Sequence, residues 1–291
     1  MSSTRDDLKA DPLTIALAAA TQAGELLLEG LGRHHASSTK ESSIDLVTEY
    51  DRRAEEVILR VLLQAFPGDE VLAEESGLVG AGGSSTASAA GPAEGAVRRR
   101  WIVDPLDGTT NFAHGLPFFA VSIACEEARG EARELLAGVV HAPALGLCFA
   151  ARRGGGATCN GQPIHVSEEA ELGRSLLATG FPYDRQTSLE NNFDQFFAFQ
   201  RRVQGVRRVG AAALDLALTA RGAFDGYWEM KLKPWDLAAG ALLVREAGGT
   251  VTGWQGEPLV IEKGAAVATN GRIHGAVLEV LGGLGIPRAA E

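Results

Sequence analysis

The chain is poor in cysteine and has no long hydrophobic run. Its three cysteines, Cys125, Cys148 and Cys159, are odd in number and lack the spacing of a metal site, so we expect reduced, packed thiols and no disulfide framework. No run of 18 apolar residues occurs, and the N-terminal segment carries charges where a secretory leader would be apolar. These absences predict a cytoplasmic protein without a membrane partner.

Basic residues are also in short supply. Lys and Arg number 27 against 37 Asp and Glu, which gives a formal net charge of −10 at pH 7. A nucleic-acid-binding surface needs clustered cations, so we predict no nucleic-acid partner. The acidic excess suits either divalent-cation sites or a solvated acidic surface, and composition does not separate the two.

The rest of the composition is that of a globular protein, with 45% apolar residues in a chain of 291. In the first part, Asp11 and Pro12 predict the start of a helix over 12–29, and an apolar stripe predicts a second helix over 51–64. Short apolar runs predict strands at 71–73 and 101–103. A largely antiparallel series follows, with strands at 118–125, 135–141 and 146–151.

Beyond about residue 170 the pattern changes to strands that alternate with helices. The predicted elements there are strands near 176, at 206–209 and at 224–228, and helices at 191–203, 211–220 and 235–247. We therefore predict an α/β protein with an N-terminal α+β half over 1–160 and a C-terminal α/β half over 161–291. No linker is long enough to separate them, so we expect the two halves to share a cleft.

Residues 77–100 are dominated by Gly, Ala and Ser. Such a segment has too few large apolar side chains to pack tightly, so we predict a surface loop. It is either a bland insertion or a lid over the acidic motifs that flank it.

Three segments place acidic side chains beside turns: 72–77, 101–112 and 235–236. An isolated Asp or Glu near a turn is usually a cap or a solvated loop residue. Asp104 and Asp107, however, flank a Pro-Leu pair that fixes the backbone, so their carboxylates and a carbonyl oxygen can converge on one point. Hard oxygen ligands of this kind suit Mg²⁺.

A tight turn follows Asp107 and leads into a predicted helix start at Gly108 and Thr109. Exposed amides at such a turn bind phosphate oxygens. A nearby carboxylate such as Glu74 and a hydroxyl such as that of Thr109 can align a water for in-line attack on phosphorus. The pattern therefore predicts metal-assisted phosphate hydrolysis.

The motifs resemble those of the inositol monophosphatase family, in the same order and over roughly residues 12–285. The matching segments are 45–48 with Asp51, 74–76, 104–112 (DPLDGTTNF), 207–216, 225–229 and 235–240 (WDLAAG). The resemblance implies a five-layer αβαβα sandwich of the inositol monophosphatase and fructose bisphosphatase type. It also implies a homodimer and inhibition by Li⁺.

The family's roles transfer residue by residue. The resemblance implies two to three Mg²⁺ ions held by Glu74, Asp104, the Leu106 carbonyl, Asp107 and Asp236. Glu74 and Thr109 would activate water, with Thr109 oriented by Asp51. The implied substrate contacts are Asp107, Gly108, Thr109, Ala212, Glu229 and Asp236.

The substrate is less constrained than the chemistry. The resemblance favours inositol monophosphate, because the motif continues Thr-Thr-Asn-Phe and Glu229 is present. Fructose 1,6-bisphosphate and histidinol phosphate are the enzymatic alternatives, and residues 181–192 lie where family members differ. A catalytically silent binding or regulatory protein is the other class of function. The presence of every expected catalytic and metal-binding side chain disfavours it.

Three cations remain open at this stage. Lys40 matches a family lysine near the active-site entrance, although a solvated loop lysine fits equally well. Arg207 and Arg208 bind either substrate, a partner subunit or structural carboxylates.

Overall fold

The structure is a computed structural model that describes residues 11–33, 37–39, 46–80, 98–129 and 132–284. Its α-helices are α1 (Pro12–Gly30), α2 (Glu49–Ala65), α3 (Thr109–Ala113), α4 (Phe193–Gln200), α5 (Ala212–Ala220), α6 (Pro234–Glu246) and α7 (His274–Leu284). Its strands are β1 (Ser37–Thr39), β2 (Leu46–Thr48), β3 (Glu70–Ala73), β4 (Gly77–Gly80), β5 (Arg98–Asp107), β6 (Ala120–Arg129), β7 (Ala132–Ala142), β8 (Leu147–Arg152), β9 (Gly156–Cys159), β10 (Gln162–Pro163), β11 (Leu176–Thr179), β12 (Gly205–Arg207), β13 (Gly226–Glu229), β14 (Thr250–Thr252) and β15 (Ala266–Thr269).

The first two helices begin at side-chain caps. The Asp11 carboxylate accepts a hydrogen bond from the Thr14 amide at 3.1 Å, and Pro12 follows as the sequence predicts. At α2 the Thr48 amide donates to the Asp51 carboxylate at 2.8 Å, a reciprocal capping arrangement. The cap of α2 thereby involves Asp51, a residue with a predicted catalytic role.

The larger sheet has eight strands in the order β10-β9-β8-β7-β6-β5-β3-β4. Every neighbouring pair is antiparallel except β3 and β5, which run parallel. Parallel strands end at the same edge of a sheet, so the segments that follow β3 and β5 emerge side by side. Both carry predicted site residues.

The smaller sheet has five strands in the order β12-β11-β13-β15-β14. β11 lies parallel to β12 and β13, whereas β15 pairs antiparallel with β13 and β14. Its β13 ends at Glu229, which brings this predicted substrate contact to the edge of the sheet.

The elements stack in five layers, αβαβα, as the family resemblance implied. Helices α1 and α2 cover one face of the larger sheet, α5 and α6 lie between the two sheets, and α4 and α7 form the outer layer on the smaller sheet. Alternation along β5 shows how one strand serves two cores: Trp101 and Val103 face the α1/α2 side, and Ile102 faces α5 and α6.

The central helix layer is packed from both sides, and its sequence has the small residues that this requires. Every residue from Leu237 to Val244 is buried. A Cβ atom added at Gly240 would approach the Leu216 side chain of α5 within 2.5 Å, and one at Gly138 of β7 would meet the Ala239 backbone at 3.1 Å. Glycine therefore permits close contact of α6 with both neighbours.

Several predicted boundaries are wrong. The proposed loop over 77–100 contains strand at both ends, since β4 pairs with β3 and β5 already begins at Arg98; residues 81–97 lie outside the described residues. The basic start of β5 is stable as a strand because Arg99 and Arg100 bind Asp69 and Glu126. The sequence interpretation also lacked β14, β15 and α7.

The three cysteines are free thiols, with Cys125 and Cys159 buried. In the described ranges, none of the helices combines the length and apolarity needed to span a bilayer.

Candidate active site

A cavity of about 480 Å³ collects the predicted site residues. All of them except Asp51 line it. The lining set includes Glu74, Asp104, Leu106, Asp107, Gly108, Thr109, Ala212, Glu229 and Asp236. These residues come from both sheets and from the helices between them.

Glu74 and Asp104 are adjacent because β3 and β5 are parallel. Ala73 pairs with Val103, and the Glu74 amide donates to the Val103 carbonyl at 3.1 Å. The Glu74 and Asp104 side chains share a hydrogen bond. Two carboxyl groups make such a bond only when a proton lies between them, so negative charge is crowded here.

A bulge in β5 turns Asp104 and Asp107 toward the same cavity. In a regular strand, residues three apart point to opposite faces. Here Asp104 pairs with Ser122 and Asp107 with Ala120, so β5 has one residue more than β6 in this interval. The Pro105-Leu106 pair occupies the bulge, which is the physical basis of the convergence that the sequence suggested.

Asp107 joins the bulge to the N-terminus of α5. Its carboxylate accepts hydrogen bonds from the Ala212 amide at 2.9 Å and the Leu214 amide at 3.2 Å. Burial raises the pKa of Asp107 to about 7, although the amides oppose this shift. The Ala212 amide is thus already engaged, and any substrate contact by Ala212 must use its other atoms.

Asp104 and Asp236 are the other perturbed carboxyls. Burial raises the pKa of both well above the ordinary Asp value, and the nearby charges of Glu74 and Asp107 raise it further. Asp104 accepts from the Leu106 amide at 3.0 Å, and Asp236 accepts from the Lys233 amide at 2.6 Å. Four acidic side chains therefore crowd one end of the cavity.

Thr109 and Asp51 form a pair beside these carboxyls. The Thr109 hydroxyl lies 2.8 Å from Asp51 Oδ1 and 3.0 Å from the Leu106 carbonyl oxygen. Asp51 is fully buried, behind the cavity wall, and burial raises its pKa against the opposing bonds from Thr48. Asp51 can therefore orient the Thr109 hydroxyl without touching a ligand.

Gly108 precedes Thr109 in the left-handed conformation, with φ +92°. A Cβ atom at this position would also lie 2.8 Å from the Phe118 carbonyl oxygen. Glycine is required on both counts, and it places the turn directly in the cavity wall.

Glu229 is a further acidic residue in the cavity wall. The Tyr227 hydroxyl donates to Glu229 Oε2 at 2.5 Å. Burial raises the pKa of Glu229 to about 7, while Tyr227 and the Arg208 charge lower it. A Cβ atom at Gly180 would overlap the Glu229 carboxylate, so glycine there leaves the carboxylate room in the cavity.

Other lining residues were not predicted or were left open. Arg208 lines the cavity and Arg207 does not. The structure thus distinguishes the two arginines, whose roles the sequence left open. Asp184, from the variable segment 181–192, forms an ion pair with Lys231 at 2.7 Å on the cavity wall. Lys40 lies outside the described residues. No motif signalled the Asp184–Lys231 pair, because it joins segments distant in the chain.

The sequence matches the inositol monophosphatase family over residues 9–283. The chain belongs to the inositol monophosphatase family. As a member of it, the protein is a phosphoric monoester hydrolase, and its five-layer αβαβα arrangement is that of the family fold.

The relatives of this protein include some named inositol-1-monophosphatase and some named Nus factor SuhB. An inositol-1-monophosphatase of Synechocystis is 42% identical over 268 residues, covering 90% of this chain and 85% of the relative. A Nus factor SuhB of Pseudomonas aeruginosa is 43% identical over 272 residues, covering 92% and 95%. The inositol monophosphatase structure from Anabaena superposes with a TM-score of 0.79 at 40% identity, and the match covers 94% of this chain and 96% of the Anabaena chain.

Inositol monophosphatases are generally metal-dependent, and the donor set here fits a hard cation. Four carboxyl groups and the Leu106 carbonyl face the cavity. As they stand, no group of three or more His, Cys, Asp or Glu among the described residues is arranged to hold a metal ion. Asp104, Asp107 and Asp236 each accept a hydrogen bond from a backbone amide in this structure. A cation would replace the shared proton and supply the missing positive charge.

Proposed function

We propose that the protein hydrolyses the phosphate monoester of a small polyol, most directly inositol monophosphate, with Mg²⁺ as cofactor. The observation that carries the proposal is the convergence of Glu74, Asp104, Asp107 and Asp236 in the lining of one cavity that Glu229 also lines. Carboxylate oxygens suit a metal ion, and the Glu229 carboxylate can accept hydrogen bonds from polyol hydroxyls. The amides of the turn at Gly108 suit a phosphate.

In this proposal Glu74, Asp104, Asp107, Asp236 and the Leu106 carbonyl hold two to three Mg²⁺ ions. When bound, the metal supplies positive charge that activates water and stabilises the charge developing on phosphate and leaving oxygen. The protein's part is positioning and proton transfer. It keeps these ligands together in one cavity.

Water activation falls to Glu74 and Thr109. Thr109 donates its hydroxyl hydrogen toward Asp51, which leaves its oxygen lone pairs facing the cavity. The Thr109 oxygen then accepts a hydrogen bond from the attacking water. Glu74 takes the other proton of this water as the water oxygen attacks phosphorus. The ester P–O bond breaks, and the polyol oxygen leaves with a proton from solvent.

Polyol recognition falls to Glu229, held by Tyr227, with Gly108 and Thr109 against the phosphate and Ala212 and Asp107 near the hydroxyls. A fixed carboxylate acceptor favours substrates with free hydroxyls beside the ester. Fructose 1,6-bisphosphate and histidinol phosphate also satisfy this requirement, and they are the alternative substrates.

The experiment is phosphate release from inositol 1-phosphate, fructose 1,6-bisphosphate, histidinol phosphate and phosphoadenosine phosphate, with Mg²⁺ and with chelator. We expect Mg²⁺-dependent release, fastest from inositol 1-phosphate. Asp194→Asn, on the exposed face of α4, serves as a surface control that keeps full activity. Silence on all four esters would contradict the proposal and favour a non-catalytic role, to which the name of the Pseudomonas relative also points.

Further properties follow from family membership as proposals. Li⁺ should inhibit by competing for a Mg²⁺ site, measurable as a shift in the Mg²⁺ activation curve. A homodimer should appear in sedimentation equilibrium. A cytoplasmic location, without nucleic-acid or membrane binding, should appear on fractionation of the producing cells.

A further inference from the structure

Glu55 is a buried carboxylate that binds the turn carrying Glu74. Its Oε2 accepts a hydrogen bond from the Glu75 amide at 2.8 Å, and its Oε1 accepts from the Ser76 hydroxyl. Glu55 is 1% exposed and is not among the residues that line the cavity. It therefore acts on the turn and not on a ligand.

Glu55 lies one helical turn after Asp51 on α2. Residues four apart share a face of a helix, and these two face the two segments that are proposed to activate water. Asp51 receives the hydroxyl of Thr109 at 2.8 Å, and Glu55 receives the amide next to Glu74. One face of α2 thus contacts both segments and fixes their positions relative to each other.

Burying a carboxylate at position 55 costs desolvation free energy, which is a large cost if the side chain only accepts hydrogen bonds from a turn. Two other buried carboxylates have cationic partners: Asp69 pairs with Arg99, and Glu126 with Arg100. Glu55 has no ion pair among the residues that the structure describes. A buried charge without a cation is expensive to desolvate, but its hydrogen bonds are shorter and stronger than neutral ones.

We infer that Glu55 is a positioning residue: by fixing the Glu75 amide and the Ser76 hydroxyl, it orients the Glu74 carboxylate for water activation and metal binding. This role rests on the proposed function. Its consequence is that the catalytic constellation depends on α2 at two points, Asp51 and Glu55, and not on Asp51 alone.

The first test compares Glu55→Ala with Glu55→Gln. We expect Glu55→Ala to lower kcat about 10- to 100-fold, the usual effect of removing a residue that orients a metal ligand, with KM changed less than about threefold. Glu55→Gln should restore most of kcat, because its carbonyl can accept from the Glu75 amide while its NH₂ donates to Ser76 Oγ. Glu56→Ala, at the exposed neighbouring position, is the matched control.

The second test does not depend on turnover. Mg²⁺ affinity, measured by calorimetry on the full chain, should weaken about tenfold in Glu55→Ala and stay within about twofold in Glu55→Gln. Amide exchange at Glu75 should accelerate in the alanine variant alone.

The outcomes separate the two proposals. If the wild type releases no phosphate but the variants still differ in Mg²⁺ affinity and in amide exchange as expected, the proposed function is contradicted and the positioning role is supported. Equal Mg²⁺ affinity in all variants overturns the positioning role whatever the wild type does. If the wild type is active, a folded Glu55→Ala protein with the wild-type kcat overturns it as well.

Discussion

Stabilisation of the protein by Mg²⁺ should grow with pH, because the cation must displace protons from the acidic end of the cavity. Burial raises the pKa of Asp107 from 3.8 to about 7. Without metal, the stability that this proton contributes is present below the unfolded pKa and is lost as pH rises through about 7. A bound cation opposes that loss.

The magnitude follows from the same pKa. Well below pH 7, displacing one proton strengthens cation binding about tenfold per pH unit, or about 1.4 kcal/mol, and the gain falls off near pH 7, where half of the carboxyl is already deprotonated. Mg²⁺ above its dissociation constant should therefore add about 2 kcal/mol more unfolding free energy at pH 7 than at pH 5. Asp104 and Asp236, whose pKa values are also raised, make this a lower bound.

The assay is urea unfolding at pH 5, 6, 7 and 8, in Mg²⁺ and in chelator. Burial lowers the pKa of His141 and His274, but they titrate alike in both media and cancel in the difference. Glu229→Gln is the matched control: its carboxyl also has a pKa of about 7, yet it is not a proposed ligand, so the difference should persist. Equal Mg²⁺ stabilisation at pH 5 and pH 7 would refute the reasoning.

Other substitutions test the site and the core separately. Asp104→Asn or Asp236→Asn should abolish Mg²⁺-dependent phosphate release while circular dichroism shows an intact fold; near-normal activity would contradict the metal assignment. Thr109→Ala should lower kcat about 10²- to 10⁴-fold, and Thr109→Ser, which keeps the hydroxyl, should retain most of the wild-type kcat. A normal kcat in Thr109→Ala would show that the hydroxyl has no role. Asp69→Ala should cost about 2–4 kcal/mol in urea unfolding, since Arg99 loses its buried partner, with kcat unchanged; a smaller loss would mean that the pair is solvated.

The motif residues were predictable because their chemistry is local. The segment from Asp104 to Thr109 contains its own bulge and turn, so the sequence indicates that the predicted metal ligands and the predicted phosphate-binding turn lie together. In the structure these residues line one cavity. Their chemical roles remain predictions.

Glu55 was not predictable in the same way. Its importance arises from a contact 20 residues away, with the Glu75 amide, and on a helix it resembles any other acidic residue. The short strand β15 and the helix α7 were missed for a different reason. All four residues of β15 are buried, so no alternation marks it, and α7 contains Gly275, Gly282 and Gly283, which have poor helix propensity.

The parallel pairing of β3 with β5 separates the placement of Glu74 and Asp104 from the length of the chain that joins the two strands. The register of Ala73 with Val103 fixes the carboxyl groups, and residues gained or lost between β4 and β5 leave that register unchanged. A lineage built on this plan can therefore vary the intervening segment by insertion or deletion.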